Sequence, residues 1–258
     1  MKRLSLAVLL AAAVMAAVTA AKAEPIWVKD GAGISGTFRD VCMLNDSIGW
    51  AVGDNGVVYK RTGILYPTTG QQVWFSQMVM AGQNNWDFTG VSFVDENNGW
   101  IVGYKNGGGD KYKGVIIRML NGVWQEPLFS HRILGLQNTP DSLTPFLKVR
   151  MTFYGGEYRG YISCGNGFIL KMQPDGSWRP LRPFAPEMDP SDTISTWYKD
   201  VWMDPDDPNK VWAMGDHSGV MVKSVDGGVN WDASYPDIFT QSYVFPPHTY
   251  TLHGTRVA

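Results

Sequence analysis

The chain alternates short apolar runs with turns rich in Gly, Asn, Asp and Pro, and this alternation itself repeats. Phe38-Arg39-Asp40-Val41 leads through a polar turn to Gly49-Trp50-Ala51-Val52-Gly53-Asp54-Asn55-Gly56. The same order recurs at Phe88-Thr89-Gly90-Val91 with Gly99-Trp100-Ile101-Val102-Gly103. It recurs again at Val149 with Gly160-Tyr161-Ile162-Ser163-Cys164-Gly165-Asn166-Gly167, and at Tyr198-Lys199-Asp200-Val201 with Val211-Trp212-Ala213-Met214-Gly215-Asp216. The aromatic anchors Trp50, Trp100, Tyr161 and Trp212 lie 50, 61 and 51 residues apart. A period of that size built from strands predicts the blades of a β-propeller.

Each repeat divides into four strand-like runs. These are 38–44, 49–54, 57–61 and 73–78 in the first; 88–94, 99–104, 114–120 and 123–127 in the second; 149–154, 160–165, 168–172 and 177–181 in the third; 198–204, 210–215, 220–225 and 230–235 in the fourth. Their β-branched and aromatic content, broken by turn residues, fits antiparallel strands. No helical periodicity of useful length appears beyond the N-terminal segment. The expected fold is all-β: four recognisable four-stranded antiparallel blades at about 38–80, 87–128, 147–182 and 197–236, within a propeller domain over 24–258. Pro25-Ile26-Trp27-Val28 reads as a lone fourth strand, and Thr251-Leu252-His253-Gly254-Thr255 as the first strand of a partial fifth blade at 249–258. An incomplete ring leaves sheet edges open, so the sequence is expected to be a fragment of a longer, about seven-bladed propeller. A four-bladed arc that dimerises is the alternative. The stretches 106–110 and 130–144 read as surface loops inserted between strands.

The N-terminus changes the picture of location. Met1-Lys2-Arg3, an apolar run over 4–21 and Ala21-Lys22-Ala23 together read as a secretory signal peptide over 1–23. The expected location is therefore the periplasm, a thylakoid-type lumen or the extracellular space, with the protein peripheral to a membrane at most. Cleavage would remove Lys2, Arg3 and Lys22, leaving 19 basic against 24 acidic groups, a net charge of −5. Such a domain has no global electrostatic reason to bind nucleic acid. The two cysteines, Cys42 and Cys164, fall in non-adjacent repeats and are expected as buried, unpaired thiols. With four His in all, no ligand-spaced cluster argues for a metal or a cofactor. Asp204-Pro205-Asp206-Asp207-Pro208 reads as a stiff turn rather than a calcium loop.

Ser224-Val225-Asp226-Gly227-Gly228-Val229-Asn230-Trp231 fits the Asp-box pattern Ser-x-Asp-x-Gly-x-x-Trp. Ser224 and Asp226 would hold the turn backbone, Gly228 would supply positive φ and Trp231 would pack the turn onto its blade. Degenerate copies run over 173–178 and 120–124. With Gly49-Trp50-Ala51-Val52-Gly53-Asp54-Asn55-Gly56, the repeats resemble the photosystem II stability/assembly factor family of Asp-box propellers. That resemblance implies a lumenal propeller without enzymatic activity, which binds a protein partner such as an assembly intermediate of a membrane complex. The chain departs from the family in having fewer blades, one clean Asp-box and long insertions.

Aligning the repeats without gaps places Arg39, Thr89, Arg150, Lys199 and His253 at one position, the second residue of each first strand. Inner strands line a propeller's channel, so these cations are expected to form a positive, partner-binding well near one mouth. Local pairing, Arg39 with Asp40 and Lys199 with Asp200, is the competing expectation. The repeat-equivalent Trp50, Trp100, Trp124, Trp178, Trp212 and Trp231 are expected in the core. A sialidase-like glycosidase and a carbohydrate-binding or adhesion propeller are the alternatives in function. The first needs an arginine cluster, a Tyr–Glu nucleophile pair and an acid/base Asp. Glu157 and Tyr158 are sequence neighbours on a turn, and Arg179 and Arg182 lie far from the channel, so catalysis is not expected.

Overall fold

A computed structural model describes residues 34–137, 139–183, 197–216 and 221–234. The expected signal peptide, the strand at 25–28, the fifth-repeat strand at 251–255 and His253 lie outside the described residues.

Four antiparallel sheets follow one another along the chain, each a meander in sequence order. Blade 1 contains β1 (Phe38–Met43), β2 (Ile48–Gly53), β3 (Val58–Leu65) and β4 (Gln72–Ser76). Blade 2 contains β5 (Trp86–Asp95), β6 (Asn98–Lys105) and β7 (Gly114–Leu120), and its outer edge is split into β8 (Val123–Trp124) and β9 (Leu128–Phe129), both paired with β7. The expected unbroken strand over 123–127 fails because Pro127 has no N–H to give the ladder. Blade 3 contains β10 (Phe146–Tyr154), β11 (Glu157–Cys164), β12 (Ile169–Met172) and β13 (Trp178–Leu181). Blade 4 contains β14 (Tyr198–Met203), β15 (Val211–Gly215), β16 (Met221–Ser224) and β17 (Asp232–Ser234). No helix among the described residues is long and apolar enough to cross a membrane.

Three apolar clusters fill the three junctions between successive blades. Trp50, Val52 and Val58 of blade 1 meet Val91, Ile101 and Ile117 of blade 2. Trp100, Val102 and Ile116 meet Val149, Ile162 and Leu170 of blade 3, and Tyr161 and Ile169 meet Val201, Ala213 and Val222 of blade 4. The segment 130–144 is more than a surface loop, since Ile133 and Leu136 insert into the junction of blades 2 and 3. Trp50, Trp100 and Trp178 are buried as expected, but Trp124, Trp212 and Trp231 are only half-buried. Cys42 and Cys164 are free thiols; Cys164 is buried and Cys42 half-buried, its sulfur accepting the Phe93 N–H.

One irregularity recurs in all four blades. The pairing of the first strand with the second slips at Arg39, Thr89, Leu147 and Lys199, directly after Phe38, Phe88, Phe146 and Tyr198. A bulge re-aims the side chain that it carries. In blades 1 and 2 the opposing residue is Gly53 or Gly103, where a Cβ would collide with the Thr37 or Asp87 carbonyl oxygen. Only a bare backbone fits so close an approach.

Candidate functional site

The repeated bulge positions the charged groups. In blade 1 the Arg39 guanidinium binds Asp54 through two hydrogen bonds, Nε to Oδ1 at 2.6 Å and Nη2 to Oδ2 at 2.9 Å. This pairing raises the Arg39 pKa, with the Asp54 hydrogen bonds as the main cause. In blade 4 the Lys199 ammonium lies 3.1 Å from Asp216 and 4.7 Å over the Trp197 ring. Asp54 follows Gly53 as Asp216 follows Gly215, so the two pairs are the same device in two repeats. In blade 2 the Thr89 hydroxyl donates to the Phe146 carbonyl at 2.7 Å, tying blade 2 to blade 3.

Arg150 does not belong to this set. It pairs in register with Tyr161, as Cys42 does with Trp50, Ser92 with Trp100 and Trp202 with Trp212. The bulge of blade 3 is Leu147. Fifteen residues separate Phe146 from Tyr161, where twelve separate Phe38 from Trp50, because the first hairpin of blade 3 is longer. A gapless alignment therefore slides three residues along β10.

Arg150 instead joins a buried layer beneath the mouth. The structurally equivalent first-strand residues are Asp40, Gly90, Lys148 and Asp200. The Asp40 carboxylate, almost wholly buried, accepts the Val91 N–H at 3.1 Å and faces Lys148 Nζ at 3.3 Å. Lys148 Nζ also donates to the Arg39 carbonyl at 3.0 Å. Arg150 spans two carboxylates, 3.7 Å from Asp40 and 3.5 Å from Asp200. Those separations are Coulombic contacts rather than hydrogen bonds. Burial lowers the Lys148 pKa, and the neighbouring Asp40 works against that. Asp200 is fully buried and accepts the Val201 N–H.

Four cations, Arg39, Lys148, Arg150 and Lys199, thus contact four carboxylates, Asp40, Asp54, Asp200 and Asp216. Among the described residues, each of these cations faces a carboxylate. Pairing prevails, although with Asp54 and Asp216 rather than with the adjacent Asp40 and Asp200. Lys148, Asp54 and Asp216 are not singled out by the sequence, whereas Asp40 and Asp200 are, as partners of other cations. Their signal is the shared Gly-Asp after the second strand and the shared cation-Asp-Val in β1 and β14.

The other motifs have structural employment. Ser224 Oγ donates to Asp226 at 2.8 Å and accepts the Gly228 N–H at 2.8 Å. Asp226 accepts the N–H groups of Val229 at 3.0 Å and Asn230 at 2.9 Å, and Trp231 Nε1 donates to the Gly228 carbonyl. Gly228 takes a φ of 86°. The Asn230 hydrogen bonds are the main cause of holding the Asp226 pKa down at about 2. Asp204 accepts the N–H groups of Asp206 and Asp207, which makes that acidic run a turn. Tyr158 packs on Trp100 and Phe153 while Glu157 lies beside Arg159. The cleft lined by Glu157, Arg159, Lys171 and Asn209 holds about 190 Å³, below the ~300 Å³ at which ligand pockets begin. Its Lys171 is already bonded to the Gly227 carbonyl at 2.6 Å.

No family model matches the chain, and no curated protein matches it. Solved structures do. YCF48 from Cyanidioschyzon merolae is 19% identical over 76% of this chain and 56% of its own, with a TM-score of 0.50. A structure of YCF48 bound to D1 peptide is 18% identical over 80% of this chain and 82% of its own, with a TM-score of 0.31. A mutant of Trypanosoma rangeli sialidase displaying trans-sialidase activity is 13% identical over 77% of this chain and 37% of its own, with a TM-score of 0.44. The chain spans little more than half the length of the Cyanidioschyzon protein. The first of these likenesses shows the fold, a β-propeller, in keeping with the assembly-factor propellers that the repeats resemble.

Proposed function

We propose that this chain is an exported, non-catalytic β-propeller that binds a segment of a protein partner at the mouth formed by its inner strands. It would serve as an assembly or scaffold factor for subunits of a membrane complex. The observation that carries the reading is the repeated pair at the bulges: Arg39 with Asp54 and Lys199 with Asp216. Each carboxylate fixes its cation while leaving further N–H donors of the cation for a visitor. Arg39 is 48% exposed. A mouth whose cations are held by carboxylates, with fixed donors and acceptors, would select a partner by pattern rather than by bulk attraction.

The buried layer below supports this reading. Asp40 and Asp200 are occupied by backbone N–H groups and by Lys148 and Arg150, so they serve as framework rather than as acid or base. The Ser224–Trp231 turn, read as an Asp-box, stabilises a blade edge away from the mouth. The reading needs neither metal nor cofactor.

The test is affinity capture from the exported fraction with wild-type, Arg39→Glu and Lys199→Glu chains as bait. The expected outcome is a protein retained by wild type and lost with either reversal. Equal recovery with all three baits would remove the mouth from consideration. Arg150→Glu is a poorer probe, because it would place a third carboxylate against Asp40 and Asp200.

A further inference from the structure

The junction of blades 2 and 3 and the junction of blades 3 and 4 share one plan, but the second is hollow where the first is filled. In the first, Arg118 pairs in register with Trp100 and stands 5.1 Å over its ring. Tyr158 of blade 3 completes the group, 5.2 Å from the Trp100 ring and 5.4 Å from the Arg118 guanidinium. In the second, the register puts Tyr161 in the place of Trp100 and Lys171 in the place of Arg118. Asn209 stands where Tyr158 does, three residues before the aromatic of the second strand. All three replacements are smaller. Together they leave the cleft of about 190 Å³, whose walls are described residues of both blades.

The hollow keeps its cations. Lys171 Nζ donates to the Gly227 carbonyl at 2.6 Å, which uses one of its three N–H donors. Arg159 lines the same cleft, and Glu157 faces it at 3.9 Å, too far for a hydrogen bond. Asp226, the carboxylate that acts on Lys171, accepts from Ser224, Val229 and Asn230. Burial first, and Arg159 next, lower the Lys171 pKa, as expected of like charges that share a partly dry site. Met172 and Tyr161 supply apolar wall, with the Tyr161 hydroxyl donating to the Pro208 carbonyl at 3.3 Å.

We propose that this cleft binds a small aromatic carboxylate, its ring in the place that Tyr158 fills one junction earlier and its carboxylate between Lys171 and Arg159. Size sets the limit of one ring: about 150 Å³ is enough for benzene, whereas drug-sized ligands need ~300 Å³ or more. The ring gains from the cations beside it, and the carboxylate offsets their mutual repulsion. The site stands apart from the proposed partner surface, because Met172 and Asn209 lie at the end of the blades opposite to the bulges. Leu181, Tyr198, Gly215, Met221 and Ser234, the strand ends next to the undescribed segments, all stand at the bulge end.

Titration calorimetry of the full chain with benzoate tests it, with acetate and benzyl alcohol as the probes that lack the ring or the charge. Wild type is expected to bind benzoate saturably at one site, and each of the other two probes about tenfold more weakly or not at all. Arg159→Gln should weaken benzoate about tenfold, the loss of one charge-assisted hydrogen bond; it is a cleaner probe than a Lys171 variant, because Lys171 also holds the Gly227 carbonyl. Asn209→Tyr returns a ring to the hollow and should abolish binding while the urea midpoint stays at or above that of wild type. No binding of benzoate to wild type would overturn the proposal, as would unchanged affinity in either variant. Acetate bound as well as benzoate would mean a plain anion site, and benzyl alcohol bound as well would mean an apolar niche; either also overturns it. Circular dichroism confirms folding, and if Asn209→Tyr does not fold, Arg159→Gln and the two control probes decide.

Discussion

Trp100 and Trp212 occupy the same position in blades 2 and 4, yet they sit in different environments. Trp100 is sealed at its junction, with Arg118 over its ring and the edge of Tyr158 against it. Trp212 has Lys223 over its ring and Trp202 at 4.9 Å, and it stays half-exposed. The local sequence specifies a ring capped by a cation in both places. What differs is the next sheet, which blade 2 has and blade 4, among the described residues, does not. In a stacked array each repeat supplies half of a core, and the neighbour supplies the remainder.

The largest effect should follow from breaking that contrast. Trp100→Ala is expected to cost about 3–5 kcal/mol, as for a sealed aromatic. Trp212→Ala, at a half-exposed ring, should cost less than half as much. Urea unfolding midpoints of the two variants decide this, and equal losses would show that Trp212 is covered as Trp100 is.

The same contrast holds for charge. Lys148 and Asp40 face each other under the mouth, whereas Arg39 and Asp54 face each other at its rim. Removing one member of a buried pair leaves the other charge without compensation, so Lys148→Met should cost about 3 kcal/mol. That is the low end of such losses, since Arg150 and the Val91 N–H still hold Asp40. Arg39→Ala should cost about 0.2–1 kcal/mol despite its shorter hydrogen bonds, with a loss that shrinks as salt is added. Unfolding in low and high salt separates the two, because the Lys148 loss should scarcely respond. A salt-insensitive Arg39 loss would place that pair in the framework.

These contrasts also mark what was legible in the sequence. The blades were legible because Gly-aromatic spacing is a property of each repeat alone, as Gly49-Trp50 and Gly99-Trp100 illustrate. The register of blade 3 was not, because β10 and β11 gain their extra residues at the far end of the hairpin, around Gly155-Gly156, where composition sets no count. Arg150 was misplaced for that reason. The cation-carboxylate partners were half legible: Asp54 and Asp216 stand out as Gly-Asp in two repeats, but the bulge that turns Arg39 and Lys199 toward them is a backbone slip without a residue of its own. Ile133 and Leu136 read as loop because an insertion shows its length in the sequence and not the hollow that it fills.

The smallest effect compares the blade-edge turns of blades 4 and 3. Asp226 accepts backbone N–H groups from Val229 and Asn230 and the Asn230 side chain, and its pKa falls to about 2. Asp175 accepts from the backbone and hydroxyl of Ser177, and its pKa is also lowered. A carboxylate whose folded pKa lies below its unfolded value of about 3.9 stabilises the fold above that value, and the contribution disappears as pH falls through the folded pKa. The stability supplied by Asp226 should therefore be intact above about pH 4 and gone near pH 2. Asp226→Asn keeps the side-chain shape and removes the charge, so melting temperatures of wild type and variant should differ near neutrality and converge as pH approaches 2. Asp175→Asn should produce the same convergence from a smaller initial gap, because its carboxylate serves a single residue. A wild-type to Asp226→Asn gap that stays constant with pH would mean that geometry rather than ionisation holds the turn.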